Sequence, residues 1–192
     1  MNETLKLGLV LLIVTAVSAT ILGISNFVTA DKIAEADKLA NDSARKEALS
    51  VAEDFELLIE ETEKIKKINP EVLEIYEGLD GSGETIGYVI KTEVLGFGGD
   101  IEVMTGISLE GKITGMKVLD HAETPGLGAR ATEPEFQEKF NDKSVDESIV
   151  VVNSEPVGGN EVLAITSATI TTDAVAQGVN IAREIFVDNF AK

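Results

Sequence analysis

Residues 85–119 read TIGYVIKTEVLGFGGDIEVMTGISLEGKITGMKVL, and this stretch decides the fold class. It holds three β-like runs, at 85–95, 101–109 and 112–119, rich in β-branched side chains. Gly96-Phe97-Gly98-Gly99-Asp100 separates the first two, and Glu110-Gly111 is a tight hairpin signal between the second and third. Consecutive strands joined by short turns predict an antiparallel sheet. Further along, Thr132-Glu133-Pro134-Glu135 reads as a capping box with proline near the helix start, so a short helix should carry Phe136 and Phe140 inward. A strand is expected at 149–152. A final helix from about 172 to 190 would bury Val175, Val179, Ala182 and Phe186 on one face. Strands, helix, strand, helix in that order predict an α+β fold, a mainly antiparallel sheet flanked by helices.

Upstream of the glycines at 78, 81 and 83 the composition changes. Residues 31–69 are rich in Ala, Glu, Lys and Leu and lack glycine and proline. They predict one or two helices with a break near Asn41-Asp42-Ser43, a helical linker whose charges form a solvated face. Residues 7–30 carry no charge, and the core LGLVLLIVTAVSATILGI (7–24) would span about 27 Å as a helix, close to a bilayer's hydrocarbon thickness. Thr15, Ser18 and Thr20 can back-bond to such a helix. Val28-Thr29-Ala30 would suit a signal peptidase, but the apolar run is long for a signal, which points to a retained anchor. Lys6 and the terminal amine place the N-terminus in the cytoplasm and the rest outside, in a cell membrane crossed once. The expected divisions are therefore 1–30 (cytoplasmic N-terminus and transmembrane anchor), 31–69 (helical stalk) and 70–192 (one folded domain).

The 192 residues include 34 acidic and 16 basic side chains, no cysteine and one histidine. The formal charge of −18 lies entirely beyond residue 30 and argues against nucleic-acid binding. Without cysteine there is no disulfide, thiolate metal site, cysteine-ligated cluster or thiol nucleophile, and one histidine makes no multi-histidine metal site. No metal is expected, and any redox chemistry would have to come from a bound organic cofactor.

Two clusters carry chemistry. Thr166-Ser167-Ala168-Thr169-Ile170-Thr171-Thr172 puts five hydroxyls in seven residues ahead of the last helix. Thr171 or Thr172 could simply cap it. Small residues around a hydroxyl would equally admit a bulky group close to the backbone, where a helix N-terminus offers amides to a phosphate. The second cluster is Asp120-His121-Ala122-Glu123-Thr124-Pro125-Gly126-Leu127-Gly128, a shaped loop after a predicted strand, in which His121 and Glu123 could titrate or bond a ligand. No serine sits in a nucleophile elbow. The Gly96–Gly99 segment opens no helix, so it is not a dinucleotide fingerprint.

Together with the N-terminal anchor, Gly87-Tyr88-Val89 and the Gly-Phe-Gly-Gly turn, these clusters resemble the G subunit of the Rnf electron-transport complex, over essentially the whole chain. That family is a membrane-anchored domain with covalently bound FMN. A motif of the form [S/T]-[G/S]-A-T carries the flavin as a phosphoester on its last threonine. Here it is Thr166-Ser167-Ala168-Thr169, which makes Thr169 the attachment residue. A flavin transferase installs the group; the wider pattern usually begins with aspartate three residues before the first hydroxyl, where this chain has Leu163.

The resemblance implies a cofactor site of Thr166, Ser167, Ala168, Thr169, Thr171, His121, Glu123, Thr124, Leu127 and Gly128, with Leu127 and Met116 available to stack on the isoalloxazine. No residue would be catalytic in itself. It further implies an electron carrier within a translocase that couples electron flow between ferredoxin and NAD to ion transport, with the other Rnf subunits as partners. The C subunit of the sodium-translocating NADH:quinone reductase uses a near-identical motif but is longer. An anchored extracellular FMN-binding sensor or scaffold, and a secreted binding module in which the threonines only cap a helix, are the competing classes.

Overall fold

A computed structural model describes residues 2–156 and 158–191. Two compact units are formed, residues 1–41 and 42–192. The first helix, α1 (Glu3–Ala48), supplies the first unit, whose side chains are almost all exposed. Among the described residues it is the one helix long and apolar enough to cross a membrane. Thr15 and Thr20 back-bond to the carbonyls of Leu11 and Ala16 at 2.9 and 2.7 Å, which keeps their hydroxyls satisfied in an apolar setting.

The second unit is built on five antiparallel strands in the order β1-β2-β3-β4-β5, formed by Asp54–Leu57, Val72–Leu79, Thr85–Leu95, Asp100–Ser108 and Ile113–His121. The last three lie within a residue or two of the runs expected from alternation, and the α+β class holds. A short helix, α2 (Ile59–Lys66), joins β1 to β2, so the stretch expected to be helical through residue 69 is helical only in parts. The break expected at 41–43 is absent as well. Asn41 Nδ2 donates to the Asp37 carbonyl and Ser43 Oγ to the Glu47 carboxylate, bonds that let both residues sit inside a continuous helix.

After β5 the chain makes a 3₁₀ turn (Gly128–Thr132) and the short helix α3 (Pro134–Gln137), which buries Phe136 and, just beyond it, Phe140. The capping box does not form: Glu133 is the N-cap without a side-chain bond, and Thr132 Oγ1 donates back to the Ala129 carbonyl. Two three-residue strands, β6 (Val150–Val152) and β7 (Glu161–Leu163), pair in parallel. The last helix, α4 (Thr169–Asn189), begins three residues earlier than expected.

Both faces of the five-stranded sheet are covered. On one, Val175, Val179, Ala182, Ile185 and Phe186 of α4 pack against Ile75, Ile90, Ile101, Val103 and Ile107. On the other, Ala44, Ala48, Leu49 and Ala52 pack with Tyr76, Val89 and Met104. The second contact depends on a row of glycines crossing four strands: Gly78, Gly87, Gly106 and Gly115 leave a trench in which Leu49 and the Ala48 backbone lie. A Cβ on Gly106 would run into the Ala48 carbonyl. That carbonyl also accepts from Thr114 Oγ1 at 2.6 Å.

Candidate functional site

The first wall of the site is the entry to α4. Thr172 Oγ1 accepts from the Ile165 amide (3.0 Å) and donates to the Ala168 carbonyl (2.9 Å), and the Ala168 amide bonds the Ile165 carbonyl at 2.9 Å. This knot of bonds turns the chain sharply and forces Ser167 to φ 66°, a left-handed conformation that a residue with a Cβ adopts at some cost. Thr166, Ser167 and Thr169 are left exposed around the buried Ala168. Ala168 is the N-cap and offers no side-chain bond, so the amides of Thr169, Ile170 and Thr171 open the helix without partners among the described residues. Neither Thr171 nor Thr172 caps them.

The second wall is the loop after β5. Glu123 is 6% exposed, and three protein donors serve its carboxylate. Oε1 accepts from the amides of Phe97 (2.8 Å) and Gly98 (2.9 Å), and Oε2 accepts from Thr171 Oγ1 at 2.6 Å. Burial pushes the carboxyl pKa up, but the bonds from Thr171, Gly98 and Phe97 outweigh it and hold Glu123 below the usual carboxylate range. One charged side chain therefore ties the 96–99 turn, the 122–128 loop and the first turn of α4 into one body. Gly128 is required by the same contact, because a Cβ there would collide with Glu123 Oε2 and lie 2.6 Å from Thr171 Oγ1.

Two expected outcomes follow from this clasp. Gly128→Ala should cost about 1–3 kcal/mol by urea denaturation, since the collision separates a buried charge from its donor. Glu123→Gln should cost about 2 kcal/mol at neutral pH, the worth of hydrogen bonds to a charged group. Because folding lowers the Glu123 pKa from its ordinary 4.5, its stabilisation is complete above that value and is lost as pH falls through the folded pKa. The stability gap between wild type and Glu123→Gln, measured by denaturation at several pH values, should be flat well above 4.5 and shrink as pH falls below it.

Between the walls lies a cavity of about 290 Å³, lined by Phe97, Glu123, Thr124, Leu127, Gly128, Ser167, Ala168, Thr169, Ile170 and Thr171. Eight of the ten site residues read from the sequence thus share one cavity. The other two do not line it. Thr166 faces a separate hollow with Arg130, Lys139 and Leu163, and His121 uses Nδ1 to accept from the Glu123 amide at 3.2 Å, shaping the loop. Met116 is 2% exposed within the core against α4, out of reach for stacking. Phe97 and Ile170, which the sequence did not single out as site residues, bring large apolar surface instead. The signal for Phe97 was a bulky side chain between glycines, in a turn that otherwise needed none.

The donor set fits a flavin mononucleotide. Unpaired helix amides suit a phosphate, Phe97, Leu127 and Ile170 suit an aromatic ring system, and Thr169 offers an exposed hydroxyl at the junction. Among the described residues no His, Cys, Asp and Glu are grouped as a metal site would need.

Comparison with known proteins points the same way. Residues 96–184 match a family of FMN-binding domains. The G subunit of the Na⁺-translocating ferredoxin:NAD⁺ oxidoreductase complex of Acetobacterium woodii is 41% identical over 189 residues, covering 94% of this chain and 90% of that protein. The G subunit of the ion-translocating oxidoreductase complex of Methanosarcina acetivorans is 36% identical, covering 94% and 93%. In fold, the chain is similar to the crystal structure of the C subunit of the Na⁺-translocating NADH-quinone reductase from Parabacteroides distasonis (19% identity, TM-score 0.59, 80% of this chain and 93% of that one). With more than a third of its residues identical to such relatives along nearly its whole length, the chain belongs to the G-subunit family of the Rnf ion-translocating oxidoreductase complexes.

Proposed function

We propose that the chain is the electron-carrying G subunit of a membrane-bound, ion-translocating ferredoxin:NAD⁺ oxidoreductase, with FMN held as a phosphoester on Thr169. The observation that carries this reading is the coincidence of an exposed threonine, three unpaired amides and an apolar-lined cavity at one helix start. The flavin supplies one-electron chemistry when bound; the chain's own residues hold, orient and shield it. The unpaired amides of Thr169, Ile170 and Thr171, at the positive end of the α4 dipole, would hold the phosphate. Phe97, Leu127 and Ile170 line the cavity and would cover the ring, and Glu123, spent on protein donors, ties the two walls together. No side chain need exchange a proton for this role, which suits a site whose one buried acid is held ionised.

In this reading α1 anchors the chain in the cell membrane, with the N-terminus cytoplasmic and the flavin domain on the far side. The remaining Rnf subunits are its electron-transfer partners, and a flavin transferase matures it. Covalent attachment suits that location, because cofactor lost outside the cytoplasm could not be recaptured. The test is intact-mass spectrometry of the full chain produced with a flavin transferase. The expected gain is FMN minus one water; an unmodified mass from cells that label a control flavoprotein overturns the reading.

A further inference from the structure

We infer that the buried carboxylate of Glu123 sets the reduction potential of the flavin in this cavity, holding it low so that only a strong reductant can load the site. The inference rests on the proposed flavin, though not on its phosphoester linkage. Of the ten residues that line the cavity, Glu123 alone carries a charge. The bases on either side of its loop in sequence are engaged elsewhere. Lys117 pairs with Glu47 and Arg130 with Glu133, and each borders a different hollow. His121 accepts the Glu123 amide at Nδ1, which only an uncharged imidazole can do. Among the described residues, then, no cationic side chain lines the cavity to offset this anion.

The charge is held in place. Glu123 is 6% exposed, so little water screens it. The Phe97 and Gly98 amides can only donate and occupy Oε1, while Thr171 Oγ1 serves Oε2, a donor set that favours the ionised form. These bonds spread the negative charge without cancelling it. They also fasten the carboxylate to both walls, so it cannot swing away when charge develops nearby. The positive end of α4 is the one counterweight in the lining, and in the flavin reading the phosphate takes it up.

Full reduction of an isoalloxazine at pH 8 takes two electrons, in one-electron steps, and one proton from solvent, so the ring gains one negative charge. Each electron oxidises one reduced ferredoxin, the donor in the proposed reaction. At an effective dielectric of about 20, unit charges ~10 Å apart still shift an equilibrium about tenfold. A group seated in a cavity of about 290 Å³ falls within that reach of its lining. Glu123 therefore opposes reduction of whatever ring the cavity holds, and its donor must be strongly reducing, as reduced ferredoxin is. The same repulsion favours passing the electrons onward.

The experiment is a spectroelectrochemical titration of the full, flavin-loaded chain in detergent micelles at pH 8. Glu123→Gln keeps the shape and removes the charge, and should favour the reduced form by about tenfold, a rise of about 30 mV for a two-electron couple. Thr171→Val breaks the same Glu123 bond but keeps the charge and strips a donor that spreads it. It should move the equilibrium about twofold the other way. Glu60→Gln, at an exposed position on α2, should change it by less than about twofold, because water screens that charge. A purely structural clasp would shift both clasp variants in one direction. That result, no rise with Glu123→Gln, or an equal rise with Glu60→Gln overturns the inference. Should Glu123→Gln not fold, Thr171→Val decides alone, since a rise or no change there also overturns it. Intact mass reports the linkage separately, and Thr169→Val supplied with free FMN allows the same titrations without it. A missing FMN mass overturns the phosphoester alone, and missing potential shifts in flavin-loaded samples overturn the role of Glu123 alone.

Discussion

Thr169→Val should yield a folded chain that carries no covalent flavin at all, seen as loss of ultraviolet fluorescence from its band after denaturing electrophoresis. Thr169 lies at the first position of α4, exposed, and its hydroxyl bonds nothing among the described residues. Valine preserves its shape, so stability should change by no more than about 0.5 kcal/mol, as for other exposed positions away from caps and cores. The chemistry is lost because valine has no oxygen to esterify. Neighbouring hydroxyls provide the controls. Thr166→Val removes another exposed hydroxyl of the same motif, one that lies outside the cavity, and labelling should persist. Thr171→Val strips a donor from buried Glu123, so it should lower stability by about 1–3 kcal/mol before it affects labelling. Fluorescence that survives Thr169→Val and disappears with Thr166→Val or Ser167→Ala would move the attachment point. Leu163→Asp, which restores the aspartate usual in the family's wider pattern, should leave labelling unchanged or raise it.

Strands β3 to β5 were legible in the sequence because glycine punctuates them and each carries a continuous run of β-formers. Strands β1 and β2 were not. Glu56, Glu74 and Glu77 interrupt their apolar residues, and β1 is a four-residue edge strand with only Phe55 partly covered. Its composition continues that of the helix before it, and what makes it a strand is its pairing with β2, a contact about 20 residues away.

The site divides along the same line. The hydroxyl cluster and the Pro/Gly loop advertise themselves by composition, and the structure brings both to one cavity. The role of Thr171 could not be read locally, because a threonine before a helix satisfies a cap or a distant acid with the same oxygen. Glu123, 48 residues away in sequence, decides it. The clasp on Phe97 and Gly98 was also hidden, since backbone amides leave no mark in a sequence. Even the choice of glycine or serine at the second motif position has a physical reading, as that residue takes a positive φ here.

The second large effect concerns where the folded domain begins. A chain starting at Asp42 should fold cooperatively without the apolar segment, whereas one starting at Asp54 should fail to fold or aggregate. Residues 44–52 look like the end of a tether in the sequence, mostly alanine and charge. In the structure they form one side of the core. Ala48 and Leu49 are fully buried, and Ala44 and Ala52 nearly so. Burying Leu49 alone contributes about 2–3 kcal/mol, and the alanines add to it, against a net stability of about 5–15 kcal/mol for a domain of this kind.

Removing the segment does more than subtract this burial. It opens the trench of Gly78, Gly87, Gly106 and Gly115, where the sheet backbone has no side chains to cover it. It also leaves the Thr114 hydroxyl without its acceptor and Tyr76 without the Arg45 guanidinium, which lies 4.1 Å from the ring centre. Within the longer chain, Leu49→Ala should cost about 2–5 kcal/mol by denaturant unfolding, the usual range for a leucine removed from a packed core. Gly106→Val should cost at least as much, because its side chain would have to displace the Ala48 backbone from the trench. Were the chain starting at Asp54 to melt as cooperatively as the one starting at Asp42, the trench would be a surface feature and these residues a tether after all. The expected contrast instead makes the last turn of α1 part of the domain's core, with the glycines spaced across four strands to receive it.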